Sequence, residues 1–192
     1  MTAPRSWDVI RQTPHADCKV YQVTRDTCRH PDDGRIGDFF VMHCPNWVLV
    51  LALTPDNQLV MVRQYRFGNR LLSWEIPGGV MDKDESPLDT AVRELREETG
   101  FVGRDPVLLG SCSPNPALQN NRSHVVLIRD CERHAAQDWD EHEELEVTLM
   151  DRTTVTAHIL DGRIHHALAL NALYFLELYE RGMLQPPVSP QG

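Results

Sequence analysis

The sequence has no excess of positive charge, no paired-cysteine motif and no hydrophobic run of membrane-spanning length. Its 192 residues include 19 Lys and Arg against 28 Asp and Glu, which gives a formal net charge of −9. A general nucleic-acid-binding surface needs clustered Lys and Arg, so this balance argues against that class. An acidic enzyme can still bind an anionic substrate if cations bridge the two, which is a first indication of a metal.

The five cysteines are odd in number, widely spaced and contain no CxxC pair. A disulfide framework or a zinc site is therefore not expected, and the histidines form no HxxxH or HExxH pattern. The N-terminus has no apolar run of signal-peptide length. We expect a cytoplasmic protein that binds neither membrane nor nucleic acid.

Turn-forming residues divide the chain into short strands and three helices. Two apolar runs flank Thr54-Pro55-Asp56-Asn57, which predicts a β-hairpin. Other predicted strands lie near residues 7–11, 19–24, 39–43, 74–76, 106–112, 124–128 and 145–149, and predicted helices at 87–99, 152–160 and 164–180. Strands around a few helices without βαβ alternation indicate a mixed α/β sandwich. The predicted organisation is an N-terminal β extension over residues 1–45, a main domain over 46–184 and a Pro-rich tail over 185–192.

Residues 79–101 carry the strongest chemical signal. Ser86 can cap a helix and Pro87 suits its first turn, so a helix is predicted to begin there. Within this helix Glu94, Glu97 and Glu98 share one face, because residues three and four apart are neighbours. Three carboxylates repel one another unless a cation lies among them, and oxygen ligands suit Mg²⁺ or Mn²⁺. The alternative is a solvated acidic face.

The spacing of the surrounding residues decides between these alternatives. Gly79, Glu85 and the run RELREETGF at residues 93–101 resemble the Nudix box at every position. The resemblance implies an α/β/α Nudix sandwich with a mixed sheet, here with a strand-rich N-terminal extension. It also implies a hydrolase that cleaves a diphosphate bond with a divalent metal.

The resemblance assigns roles to individual residues of the box. It implies Mg²⁺, with Mn²⁺ as a possible substitute, held by the carboxylates of Glu94, Glu97 and Glu98 and by the backbone carbonyl of Gly78. Glu97 is also expected among the catalytic residues, together with Glu85 and Arg93, which would pair with or orient the ligands.

The reaction also needs a carboxylate that takes a proton from water. The segment DEHEELEV at residues 140–147 resembles the acidic loop that supplies this base in related enzymes. Glu141 is the expected base, with Glu143 and Glu144 as alternatives. A solvated acidic loop before a strand is the competing interpretation.

The residues around the box resemble the ADP-ribose pyrophosphatase and nucleoside diphosphate sugar hydrolase branch. The resemblance includes VRQYRFGNRLLSWEIPGG at residues 62–79, the N-terminal strands, and the helix that follows the acidic loop. It implies a nucleotide-sugar substrate cleaved to NMP and a sugar phosphate, and a homodimer with a shared pocket.

Two segments contain candidate substrate-binding residues. Arg63 and Arg66 suit phosphate recognition, although exposed strand arginines are common. The loop at residues 113–124 contributes Asn115, Gln119, Asn120, Asn121 and Arg122, although Asn also favours turns for backbone reasons. This loop departs from the SPG-type loop of dedicated ADP-ribose pyrophosphatases, which favours a broader sugar-nucleotide range. Trp47 and Tyr65 are expected in the core, and His165-His166 near a helix start without a catalytic role.

Two further functions remain as alternatives. One is a Nudix enzyme that acts on coenzyme A, dinucleoside polyphosphates or capped RNA. The extra motif of the coenzyme A group is not found, and capped RNA favours a basic face. The other is a non-catalytic nucleotide-sugar sensor, against which the intact box argues.

Overall fold

The computed structural model describes residues 3–139 and 144–185. The chain forms two compact units. The N-terminal unit comprises Met1–Pro45 and Ser113–Arg122, and the main unit comprises Asn46–Cys112 and Ser123–Gly192. No helix in the described ranges is long and apolar enough to cross a membrane. The domain boundaries expected from the sequence stay a prediction.

The N-terminal unit is an antiparallel sheet of three strands. Its order is β1 (Asp8–Asp17), β2 (Gln22–Arg29) and β3 (Ile36–His43). The segment 113–122 joins β3 through backbone hydrogen bonds, since the Met42 N–H donates to the Leu118 carbonyl at 2.7 Å. The expected strands are present, but each is longer than or displaced from its sequence-based bounds, because turn residues such as Gly37 are accommodated within the sheet.

The described residues of the main unit form two sheets. A mixed sheet has the order β7-β4-β9-β8, formed by β4 (Trp47–Ala52), β7 (Gly78–Val80), β8 (Phe101–Cys112) and β9 (Ser123–Arg133). In it β4 runs parallel to β9 and antiparallel to β7. An antiparallel sheet has the order β10-β5-β6, formed by β5 (Leu59–Arg66), β6 (Leu71–Glu75) and β10 (Glu146–Met150). The helices of the described residues are α1 (Pro87–Thr99), α2 (Arg152–Leu160) and α3 (Ala167–Glu180).

The prediction of a β-hairpin across residues 54–57 is wrong. The turn is there, since the Asn57 N–H donates to the Thr54 carbonyl at 2.9 Å. The flanking strands β4 and β5 nevertheless belong to different sheets, and an isolated bridge between Leu53 and Leu59 joins their ends. Both strands are apolar at consecutive positions, which is typical of strands buried on both faces rather than of a half-exposed hairpin.

Strand β4 shows how the layers are arranged. Its side chains alternate between two core clusters. Leu49 and Leu51 pack in a cluster that contains Leu176 of α3, whereas Val48 and Val50 pack in a cluster that contains Leu95 of α1. The mixed sheet therefore has a helix on each face, and the predicted α/β/α sandwich is confirmed.

Helix α1 has the bounds expected from the sequence. The Ser86 hydroxyl accepts a hydrogen bond from the Asp89 N–H, and Gly100 ends the helix with φ 73°. A residue other than glycine would be strained there, and its Cβ would lie 2.3 Å from the Ala135 carbonyl oxygen. Helix α2 also matches its predicted bounds, whereas α3 begins at Ala167 rather than at Ile164.

We expect the Leu51→Ala substitution to lower the free energy of unfolding by about 2–5 kcal/mol, because Leu51 is fully buried between two layers. Urea denaturation measures this change. Leu160→Ala is the matched control, since Leu160 is 83% exposed and should change the value by less than about 0.5 kcal/mol. An equal loss of unfolding free energy in the two variants would contradict the placement of Leu51 in the core between sheet and helix.

Candidate functional site

Arg93 lies among the carboxylates of α1 and joins them into one network. Its Nε and Nη2 donate to the two oxygens of Glu85, each at 3.0 Å. Its Nη1 donates to Glu94 Oε1 at 2.8 Å and to Glu97 Oε2 at 3.0 Å. The hydrogen bonds from Arg93 lower the pKa of Glu85 to about 2, and those carboxylates raise the pKa of Arg93. The structure thus brings these four predicted residues together.

Glu98 is the buried carboxylate of the same helix. It is 3% exposed, and its Oε2 accepts a hydrogen bond from the Gly78 N–H at 2.9 Å. The neighbouring residue Gly79 lies against Glu94, because a Cβ at that position would lie 2.4 Å from the Glu94 carboxylate. The lack of a side chain at Gly79 therefore allows β7 to approach α1 closely. The lack of one at Gly78 has a different reason, because a Cβ there would lie 2.2 Å from the Val48 carbonyl oxygen of β4.

The end of α1 is held by the segment that leads to the acidic loop. The Asp138 N–H donates to the Glu97 carbonyl, and the Trp139 indole N–H donates to the Glu98 carbonyl, both at 2.9 Å. These bonds satisfy two of the carbonyls that a helix end leaves without a partner. Glu141, the expected base, and its alternative Glu143 lie outside the described residues.

The residues of α1 fit a divalent cation by their chemistry. The oxygens of Glu94, Glu97 and Glu98 are the hard donors that Mg²⁺ or Mn²⁺ prefers. Arg93 lies among the first two of them. Across residues 3–139 and 144–185, no group of three or more His, Cys, Asp or Glu side chains already has metal-binding spacing.

A cleft with a volume of about 1140 Å³ opens beside β5 and β6. Arg63 and Arg66 both line it, as does Glu144, the other alternative base. Arg63 also donates to Glu146 Oε2 at 3.2 Å. Tyr65 lines the cleft and is 44% exposed, so its expected place in the core is wrong. It follows that the β5 arginines border a space large enough for a small-molecule ligand.

Arg66 is held by Glu75, a residue that the sequence analysis did not single out. Glu75 is 1% exposed, and it accepts from Arg66 Nε at 3.1 Å and from Nη2 at 2.6 Å. His166 Nδ1 lies 2.8 Å from Glu75 Oε2. Burial alone would raise the pKa of Glu75, but His166 and Arg66 outweigh it and lower the pKa to about 2. A glutamate between Trp74 and Ile76 in an apolar strand was the signal available in the sequence.

The candidates of the loop 113–122 lie in the N-terminal unit. Asn120 accepts from the Cys44 N–H at 3.3 Å, and its Nδ2 lies 2.9 Å from His43 Nδ1. Gln119 contacts the Cys44 sulfur, and Arg122 donates to the Ser113 hydroxyl at 3.3 Å. Asn115 is exposed, and its carbonyl accepts from the Leu118 and Gln119 N–H groups. Asn121 is buried and donates to the Pro45 carbonyl at 2.9 Å. Their role in binding a substrate stays a prediction.

The chain is similar to known proteins in both sequence and structure. The sequence profile of the family described as NUDIX domain matches residues 43–170. The chain is 30% identical over 163 residues to the methanol dehydrogenase activator of Bacillus methanolicus, covering 84% of this chain and 88% of that protein. It is also 30% identical over 152 residues to the ADP-ribose pyrophosphatase of Bacillus subtilis (strain 168), covering 77% and 80% of the two chains. A solved structure described as ADP compounds hydrolase superposes with a TM-score of 0.82 at 21% identity, over 95% of this chain and all of that one.

We expect Glu75→Gln to lower the free energy of unfolding at pH 7 by about 1–3 kcal/mol, because it weakens charged hydrogen bonds to a buried group. The folded-state pKa of about 2 lies below the usual value of 4.5. The ionised Glu75 therefore makes its full contribution to the free energy of unfolding above pH 4.5, and this contribution is lost as the pH falls toward 2. Urea denaturation between pH 7 and pH 2 should show the two proteins converging at the acid end.

The control for this measurement is Glu132→Gln, because the Glu132 side chain is 62% exposed. We expect it to change the unfolding free energy by less than about 0.5 kcal/mol. If the difference in unfolding free energy between wild type and Glu75→Gln does not shrink as the pH falls, the loss of stability comes from altered packing and not from the charge of Glu75.

Proposed function

The chain belongs to the Nudix family of hydrolases, and on that basis we propose that it hydrolyses the diphosphate bond of ADP-ribose and other nucleoside diphosphate sugars. The products are a nucleoside monophosphate and a sugar phosphate. The relative of Bacillus subtilis named ADP-ribose pyrophosphatase supports this substrate class. The protein of Escherichia coli (strain K12) named ADP compounds hydrolase NudE, 25% identical over 66% of this chain, also supports it.

The observation that carries the proposal is the short path between the two charged parts of the main unit. Glu75 holds Arg66 at the cleft, and Gly78 contacts Glu98 of α1. Only three peptide bonds separate Glu75 from Gly78, and all are trans. Their Cα atoms are therefore at most about 11 Å apart. One nucleoside diphosphate sugar is long enough to contact the cleft arginines and the α1 carboxylates together.

We propose Mg²⁺, replaceable by Mn²⁺, as the cofactor, held by Glu94, Glu97, Glu98 and the carbonyl of Gly78. When bound, such an ion neutralises the diphosphate and lowers the pKa of an attacking water. Arg93, itself held by Glu85, orients the Glu94 and Glu97 carboxylates. Glu141 is the proposed general base, because it follows closely on Trp139, which is bonded to the end of α1.

Arg63 and Arg66 bind the phosphates in this proposal, since a guanidinium matches phosphate oxygens in charge and geometry. Asn115, Gln119, Asn120 and Arg122 bind ribose or sugar hydroxyls. The enzyme works as a cytoplasmic homodimer. Support for a dimer comes from exposed apolar side chains of the N-terminal sheet, among them Ile36, Phe39 and Phe40.

The substrate class is tested by incubating the protein and Mg²⁺ with ADP-ribose, ADP-glucose, GDP-mannose, UDP-glucose, diadenosine polyphosphates and coenzyme A. Chromatography of the products should show AMP from ADP-ribose and NMP from several other nucleotide sugars. Turnover of coenzyme A or polyphosphates alone would keep the family and reject the substrate class. Tight binding without turnover would favour a sensor.

In the same assay we expect Glu98→Gln to lower kcat by ~10²–10³-fold or more, because one anionic ligand is lost from the reaction centre. Gln is nearly the same size and keeps an oxygen that can accept from the Gly78 N–H, so the fold should persist. Glu132→Gln, on the exposed end of β9, is the control and should keep full activity. An active Glu98→Gln enzyme would contradict the metal-ligand role.

Gly79→Ala tests the packing of β7 against α1. The added Cβ would lie 2.4 Å from the Glu94 carboxylate, which must move. We expect kcat to fall by at least about tenfold, since small displacements of reacting groups are costly. Gly162→Ala is the control: it has φ 78° and no neighbouring atom within 4 Å, so it should lower the melting temperature but not kcat. Unchanged kcat in Gly79→Ala would show that Glu94 need not occupy this position.

A further inference from the structure

We propose that His166 is a second phosphate-binding residue of the cleft, which acts beside Arg66 because both side chains are held by the buried Glu75. The ligand class is a phosphate or diphosphate group of the substrate. This inference deepens the proposed function, and it rests on that function only for the identity of the rest of the ligand.

The geometry around Glu75 is the first observation. Arg66 forms a bidentate ion pair with the two carboxylate oxygens of Glu75. His166 Nδ1 lies 2.8 Å from Oε2 of the same carboxylate. The Nδ1 atom is buried and has no hydrogen-bond geometry to any partner among the described residues. Its close contact with Oε2 nevertheless places the ring beside Arg66, on the same carboxylate.

The use of the histidine side chain is the second observation. His166 is the N-cap residue of α3, a position where a side chain commonly accepts from the first backbone N–H groups. Its side chain makes no such bond. The imidazole instead contacts Glu75 and borders the cleft, with 28% of its side chain exposed. The ring is thus placed for a role at the cleft rather than for helix capping.

The charge balance at this end of the cleft is the third observation. Glu75 supplies one negative charge, and it is 1% exposed, so a ligand does not meet it directly. Arg66 is always positive and 42% of its side chain is exposed, so the charge that a ligand meets at this end of the cleft is that of the guanidinium. The imidazole beside it offers a further polar ring nitrogen to a phosphate group. Arg63 lines the same cleft but pairs with Glu146.

The first test observes the imidazole directly. Long-range ¹H–¹⁵N NMR spectra of the full-length protein with Mg²⁺ are recorded while α,β-methylene ADP-ribose, AMP or inorganic pyrophosphate is added. The His166 ring signals, identified by their loss in His166→Asn, should move, whereas those of His134, whose side chain is 62% exposed, should not. If none of the three probes moves the His166 signals, the inference is wrong.

The second test separates binding from positioning. We expect His166→Ala to weaken binding of the methylene analogue and to raise KM by about tenfold, with kcat changed by less than about threefold. His166→Asn keeps a polar N–H donor near Glu75 but not the imidazole ring, so its affinity should lie between those of wild type and His166→Ala. His134→Ala, which changes an exposed side chain that does not line the cleft, should bind like wild type. Wild-type affinity in His166→Ala would overturn the inference.

The two tests distinguish failure of this inference from failure of the proposed function. If pyrophosphate and AMP move the His166 signals but no nucleotide sugar is hydrolysed, His166 is a phosphate-binding residue and the proposed substrate class is wrong. If nucleotide sugars are hydrolysed and His166→Ala has unchanged KM, the function stands and the role of His166 is wrong. A kcat loss without a KM change would likewise contradict a binding role.

Discussion

The charge balance around α1 is the constraint on which the rest of the site depends. Glu85, Glu94 and Glu97 converge on a single guanidinium, that of Arg93, and Glu98 is buried one turn after Glu94. Carboxylates this close are stable only when hydrogen bonds and positive charge compensate them. The same oxygens that Arg93 organises are the ones that would hold a divalent cation, so the network keeps the ligands close together for metal and substrate.

The fold supports this arrangement through one continuous segment, residues 74–80. It begins in β6 with a buried glutamate that orients a cleft arginine, and it ends in β7 with two glycines packed against α1. Because β6 and β7 belong to different sheets, the segment crosses between them. The antiparallel sheet therefore supplies the cleft lined by Arg63 and Arg66, and the mixed sheet supports the acidic helix. A substrate with two phosphates matches this division.

Local features were predictable from the sequence, and pairing over long distances was not. Ser86, Gly100 and the apolar spacing set the bounds of α1, because caps and helical periodicity act within a few residues. The pairing of β4 with β5 was predicted wrongly. A strand that is buried on both faces has the same apolar sequence whichever strand it pairs with, so the sequence did not show that β4 and β5 belong to different sheets. Glu75 and His166 are 91 positions apart in the sequence. Their contact, and the exposure of Tyr65 at the cleft, follow only from the tertiary structure.

The central claim is that one diphosphate lies between the cleft arginines and the carboxylates of α1. A crystal structure of the protein with Mg²⁺ and α,β-methylene ADP-ribose tests this most directly. The account predicts that Arg66 contacts one phosphate and that metal ions bound by Glu94 and Glu98 contact the diphosphate. A diphosphate bound away from α1, or a ligand that leaves the cleft beside β5 and β6 empty, would contradict it.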